Sequence, residues 1–144
     1  MPDTVTERAP QSKDGGTAPS ATFGFVKLVV GELEPMLDFY GRVLGLVAVQ
    51  TIDTPEMTEK ILRKPGQEAG AGLILYRHKD GREITLGNAY GPVGFYVRDV
   101  DAAFAHAVAA GATPHREPWD SGNLRVAFVL DPEGREIELV SVRR

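Results

Sequence analysis

Residues 30–45 read VGELEPMLDFYGRVLG, and residues 97–111 read VRDVDAAFAHAVAAG. Laid over one another, the two stretches share a plan. Val30 and Val97 close a β-rich run, Glu32 and Asp99 open a helix, and Gly45 and Gly111 end it. In the first stretch, at about 100° per residue, Leu33, Met36, Leu37, Phe39, Tyr40, Val43 and Leu44 fall on one broad arc, with Glu34, Asp38 and Arg42 opposite, the pattern of an amphipathic helix. Pro35 is tolerated in the first turn, and Gly45 suits a left-handed stop. In the second stretch Val100, Ala103, Phe104, Ala107 and Val108 form the apolar face.

Working outward, TFGFVKLVV (22–30) precedes the first helix, and three strand candidates follow it at 46–52, 57–63 and 72–78. KDG makes a turn, and REITLG (82–87) reads as a short return strand. The plan restarts with VGFYVRD (93–99). After the second helix there is room for a strand in 113–119, and two β-rich runs, 124–131 and 135–142, close the chain. DPEG (131–134) joins them with the residues of a type I turn. The chain is two copies of a βαβββ unit, an α+β fold. Each copy is too small to bury its sheet alone, so the two sheets are expected to pair around a partly closed concavity. DGREITL (80–86) and EGREIELV (133–140) look like a smaller repeat, but their likeness is shared turn chemistry. Residues 1–21, rich in Pro, Thr, Ser, Asp and Gly, read as a flexible arm. A single domain spans 22–144, with one module at about 22–90 and the other at about 91–144.

The 144 residues suit one core. With no cysteine, the chain has no disulfide framework, thiolate metal site or cysteine nucleophile. A net charge of −4 gives no footprint for nucleic acid or an anionic membrane. No apolar run approaches the roughly 20 residues of a membrane span, and the N-terminus has no signal-peptide core. A cytoplasmic location is expected.

DFYGRVLG (38–45), GNAYGPVGFYVRDVDAAF (87–104) and AFVLDPEGREIEL (127–139) resemble the vicinal oxygen chelate superfamily, which includes glyoxalase I, bleomycin resistance proteins and extradiol dioxygenases. The resemblance covers about residues 22–142, and GNAYG is most similar to glyoxalase I. It implies a metal site built from a His in the first strand, a Glu in the last strand of module one, a His opening module two and a Glu near the chain's end. Such a set suits nickel or zinc. Carried over by spacing, those positions are Phe25, Ile74, Pro92 and Glu138. Three of the four cannot bind a metal, so neither a metal nor any other cofactor is expected. A shifted site from Glu138, Glu59 and His78 is the remaining way to hold an ion.

Strand alternation then lists what the concavity contains. Phe25, Lys27 and Val29 come from the first strand, and Ile74 and Tyr76 from 72–78. Pro92, Gly94 and Tyr96 come from the start of module two, and Glu138 and Val140 from the last strand. From 57–63 either Glu59 and Arg63 or Thr58 and Lys60 face inward. Trp119 is expected in a loop, 116–123, over the mouth. Glu138 either pairs with Lys27 or Arg125 or serves as a general base, with Tyr96 as an oxyanion donor. The expected function is a metal-free, glyoxalase-like protein holding a hydrophobic or aromatic small molecule. The alternative is a metal-independent lyase or isomerase acting on a carbonyl compound through Glu138. A third reading is a metal-dependent enzyme of the lactoylglutathione lyase type. The resemblance also implies a homodimer.

Overall fold

Two four-stranded sheets and two helices make up residues 20–143, the residues that the computed structural model describes. Most of the expected arm, residues 1–19, lies outside the described residues. The first module runs β1 (Phe25–Val29), α1 (Leu33–Leu44), β2 (Val47–Asp53), β3 (Met57–Arg63) and β4 (Gly72–His78). The second runs β5 (Val93–Tyr96), α2 (Val100–Ala109), β6 (Thr113–Ser121), β7 (Leu124–Leu130) and β8 (Glu136–Val142). The sheets have matching orders, β1-β4-β3-β2 and β5-β8-β7-β6. In each, the first and last strands of the module pair in parallel and the other pairs are antiparallel. The α+β architecture with two βαβββ modules is thus the one the repeat predicts.

Both helices form where the sequence signals them, although Val108, expected on the apolar face of α2, is exposed. The α1 face buries Met36, Phe39, Tyr40 and Val43. Gly45 stops the helix at φ 70°, and its N–H bonds back to the Gly41 carbonyl at 2.9 Å. A side chain there would adopt a strained left-handed backbone and place its Cβ 2.6 Å from Lys64 Nζ. Gly45→Ala is expected to lower stability by about 1–2 kcal/mol, read as a lower urea midpoint with an unchanged slope. Asp99 caps α2 by accepting from Ala102 N at 3.0 Å.

One apolar cluster joins the modules. Met36, Phe39, Tyr40, Leu62, Leu73 and Leu75 from the first meet Val100, Ala107, Ala127, Val129, Ile137 and Leu139 from the second. The helices and one face of each sheet supply this core. At its edge lies the turn after β7. The Asp131 carboxylate, fully buried, accepts from Tyr40 Oη at 2.9 Å, from Glu133 N at 2.9 Å and from Arg135 N at 3.0 Å. Glu133 then reaches into module one. Its carboxylate accepts from Gly31 N at 2.9 Å and Glu32 N at 3.2 Å. Glu32 begins α1 without a side-chain cap of its own, and the second module adds the Glu133 carboxylate to the helix's own Glu34 at that N-terminus.

Three expectations are corrected. Residues 82–87 form no strand, because β4 already has β1 on one side and β3 on the other. Residues 116–121 are not a loop but part of β6, an edge strand that absorbs Pro114 and Pro118 through two register shifts against β7. And the two sheets do not close on each other within one chain. Burying the helix faces together leaves the opposite face of each sheet open.

Candidate functional site

The open face of the first sheet is identified by what is absent from the core. Ile74 and Glu59 are buried, yet neither belongs to the apolar cluster. In register, Lys27 stands beside Ile74, Val29 beside Tyr76, and Glu59 beside Tyr76 on the other side. This settles the orientation of 57–63: Glu59, Ile61 and Arg63 share the open face, while Leu62 joins the core. Lys27 Nζ pairs with Glu59 Oε1. The ammonium lies 5.7 Å from the Phe25 ring centroid and 5.5 Å from that of Tyr76, within reach of a cation–π attraction. His78 meets Tyr76 edge to face at 4.8 Å.

The second sheet presents two cross-strand rows on its open face. One runs Gly94, Glu138, Phe128 and Arg116, and the other runs Tyr96, Val140, Val126 and Trp119. Trp119 stacks on Phe128 with centroids 5.8 Å apart and planes at 22°. The Arg116 guanidinium covers Trp119 at 3.6 Å. Glu138, half-buried, is thus bordered by an aromatic platform and by the gap that Gly94 leaves. Tyr96 is 87% exposed, one step along β5.

The structure therefore gathers the candidates into two groups. Phe25, Lys27, Glu59, Ile74 and Tyr76 share one face. Glu138, Tyr96 and Trp119 share the other, and Pro92 lies exposed just before β5. Within one chain the groups belong to separate sheets. Neither expected partner of Glu138 pairs with it. Lys27 is taken by Glu59, and Arg125 faces the helix side, bound to Asp101 at 2.7 Å and Asp120 at 3.0 Å. That guanidinium holds the Asp101 carboxyl below its ordinary range. Arg125 leaves the candidate set because its neighbour Val126 takes the inward position. Among the described residues Glu138 has no ion-pair partner.

Phe128 and Arg116 are additions. The Phe128–Glu138 pairing was available from the sequence, because the DPEG turn sets the register of the hairpin. Arg116 was not, because a register shift lies on either side of it.

The metal implied by the resemblance does not fit these residues. Phe25, Ile74 and Pro92 offer no donor atom, and a divalent ion needs three or four. The shifted set fails as well. Glu59 is occupied by Lys27, and no three His, Cys, Asp or Glu side chains among the described residues of one chain converge.

Strands β1 and β5 are both outer strands, and both line an open groove of about 1930 Å³, together with the end of α1 and with Ala103, His106 and Ala107 of α2. Neither Glu59 nor Glu138 lines it. Around it Phe23, Phe25, Val26 and Tyr90 are exposed. Unpaired strand edges with exposed apolar side chains are pairing surfaces.

Comparison with known proteins agrees with this architecture. Residues 22–139 match the Glyoxalase/Bleomycin resistance protein/Dioxygenase superfamily. A lactoylglutathione lyase of Neisseria meningitidis (serogroup A) is 35% identical over 117 residues, 78% of this chain and 85% of that protein. The structure of the trypanothione-dependent glyoxalase I of Leishmania major superposes with a TM-score of 0.74 at 27% identity, covering 85% of this chain and 87% of that one. A glyoxalase/bleomycin resistance protein/dioxygenase family enzyme from Burkholderia phytofirmans shares the fold, with a TM-score of 0.65 at 23% identity over 85% of this chain and 99% of that one.

Proposed function

Because the chain belongs to the glyoxalase/bleomycin resistance protein/dioxygenase superfamily, we propose that it is a metal-free, glyoxalase-like protein that binds a hydrophobic or aromatic small molecule on the open sheet faces. The observation that carries this reading is the replacement of metal donors by Phe25, Ile74 and Pro92. What surrounds those positions is apolar and aromatic with a few polar groups, the make-up of an organic-ligand site. A homodimer belongs to the same proposal. It would cover the exposed β1 and β5 edges and bring the Lys27 face of one protomer to the Glu138 face of its partner. A cytoplasmic location is proposed with it. No helix among the described residues is long and apolar enough to cross a membrane.

The purified protein is expected to carry nickel, zinc and iron each far below one per chain, to sediment as two chains, and to respond to planar aromatic compounds through its single tryptophan. Trp119 stacks on Phe128 beside Glu138, so a ligand entering there changes its fluorescence. A full equivalent of metal, lost on Glu138→Gln, overturns the proposal.

A second reading is favoured by one observation, the half-buried carboxylate of Glu138, which has no ion-pair partner among the described residues. It is a metal-independent lyase or isomerase in which Glu138 takes the proton next to a carbonyl and Tyr96 donates to the developing oxyanion. The relatives named lactoylglutathione lyases make this class of chemistry the one to test first.

A further inference from the structure

The geometry points to Lys27, held in place by Glu59, as the anchor for the carboxylate of a planar organic acid. This rests on the open sheet face being the ligand site and names the class of ligand it takes. Glu59 lies on β3, an inner strand of its sheet, and is 4% exposed. A carboxylate so buried loses several kcal/mol of hydration, which one ion pair rarely recovers. For stability alone an apolar side chain would serve that position better. What the carboxylate does is fix the ammonium.

The pair is asymmetric in a useful way. The Glu59 side chain is 5% exposed and that of Lys27 is 41% exposed, so the negative end is sunk in the sheet and the positive end faces outward. An ammonium has three N–H donors. One goes to Glu59, and the others remain for a ligand. The rings of Phe25 and Tyr76 flank the same nitrogen and give a planar ligand an apolar wall beside the charge. A lysine held by a glutamate is also how protein kinases position the lysine that contacts phosphate. Here the aromatic flanks select a flat acid, and Glu59 is a positioning residue.

The test uses 2-naphthoate and its neutral analogue 2-naphthamide, titrated calorimetrically into the full-length protein. The wild type is expected to bind the acid roughly ten- to a hundredfold more tightly than the amide, the range of one charge-assisted hydrogen bond. Lys27→Met should abolish that ratio while leaving the amide affinity in place, and Lys27→Arg should restore most of it. Glu59→Gln leaves the Lys27 charge in place but loosens the ammonium's tether, so the ratio should fall by several-fold with the amide unaffected. Where Lys27→Met does not fold because Glu59 is left unpaired, the double variant Lys27→Met/Glu59→Leu removes the pair together and must show the same loss. Equal binding of acid and amide by the wild type, or a ratio that survives the loss of Lys27, overturns the inference and leaves the ligand site standing. Binding of neither probe overturns both.

Discussion

Asp131→Ala lowers the stability of the protein by about 3–5 kcal/mol, the loss expected when one partner of a buried charged network is removed. The carboxylate has no exposed side-chain surface and serves four donors at once: Tyr40 Oη, two backbone N–H groups of its own turn and the Arg135 guanidinium. Alanine leaves the buried Tyr40 hydroxyl and the two turn N–H groups without this acceptor, while Arg135 keeps Glu133 and the Val29 carbonyl. Tyr40→Phe removes only one of these bonds and should lower stability by about 1–2 kcal/mol. Chemical denaturation of the two variants gives the comparison. An Asp131→Ala protein that unfolds with the wild type would mean the turn is not a structural hub.

The same contact has a pH signature. Burial, and then the Asp131 charge, raise the Tyr40 phenol well above its ordinary value of 10.0. The folded state thus holds this proton more tightly than the unfolded chain does. Its contribution to stability is complete below pH 10 and is lost as pH rises above that value. In Tyr40→Phe that part of the alkaline loss disappears.

Glu138→Gln is the second variant with a large expected effect. If the site turns over a carbonyl compound, the amide cannot accept the proton, and kcat should fall by about 10²- to 10⁴-fold, the usual worth of a positioned general base. Glutamine keeps the size and the place opposite Phe128, so KM should change little. Single-turnover measurements at saturating substrate separate the two parameters. Turnover that survives the change removes Glu138 as the base and leaves the binding reading. A change in KM alone assigns the carboxylate to ligand binding.

Much of the fold was legible because local and global signals agree in it. The α1 arc, the Gly45 stop and the repeat of the whole unit all appear in the residues themselves. What was not legible depended on pairing between distant strands. A strand at 113–119 was allowed for, but its run on to Ser121 and the register shifts by which it accommodates Pro114 and Pro118 show only in its pairing with β7. The side on which Glu59 lies follows from its pairing with Tyr76, which alternation within 57–63 leaves open. Arg125 shows the converse. Its charge suggested a partner for Glu138, but strand parity turns it toward Asp101. Alternation also marks two faces on every strand without saying whether two such faces meet within one chain or between two.

The contact of Glu133 with the start of α1 has a consequence for how the protein opens. The acceptor lies in one repeat and the N–H donors at Gly31 and Glu32 lie in the other. Arg135, in the same turn, donates to the Val29 carbonyl. Unfolding either repeat would strip these partners from its neighbour. The two ancestral-looking halves are therefore a single foldon, and slow amide exchange in β1 and β8 should report one shared global opening rather than two local ones.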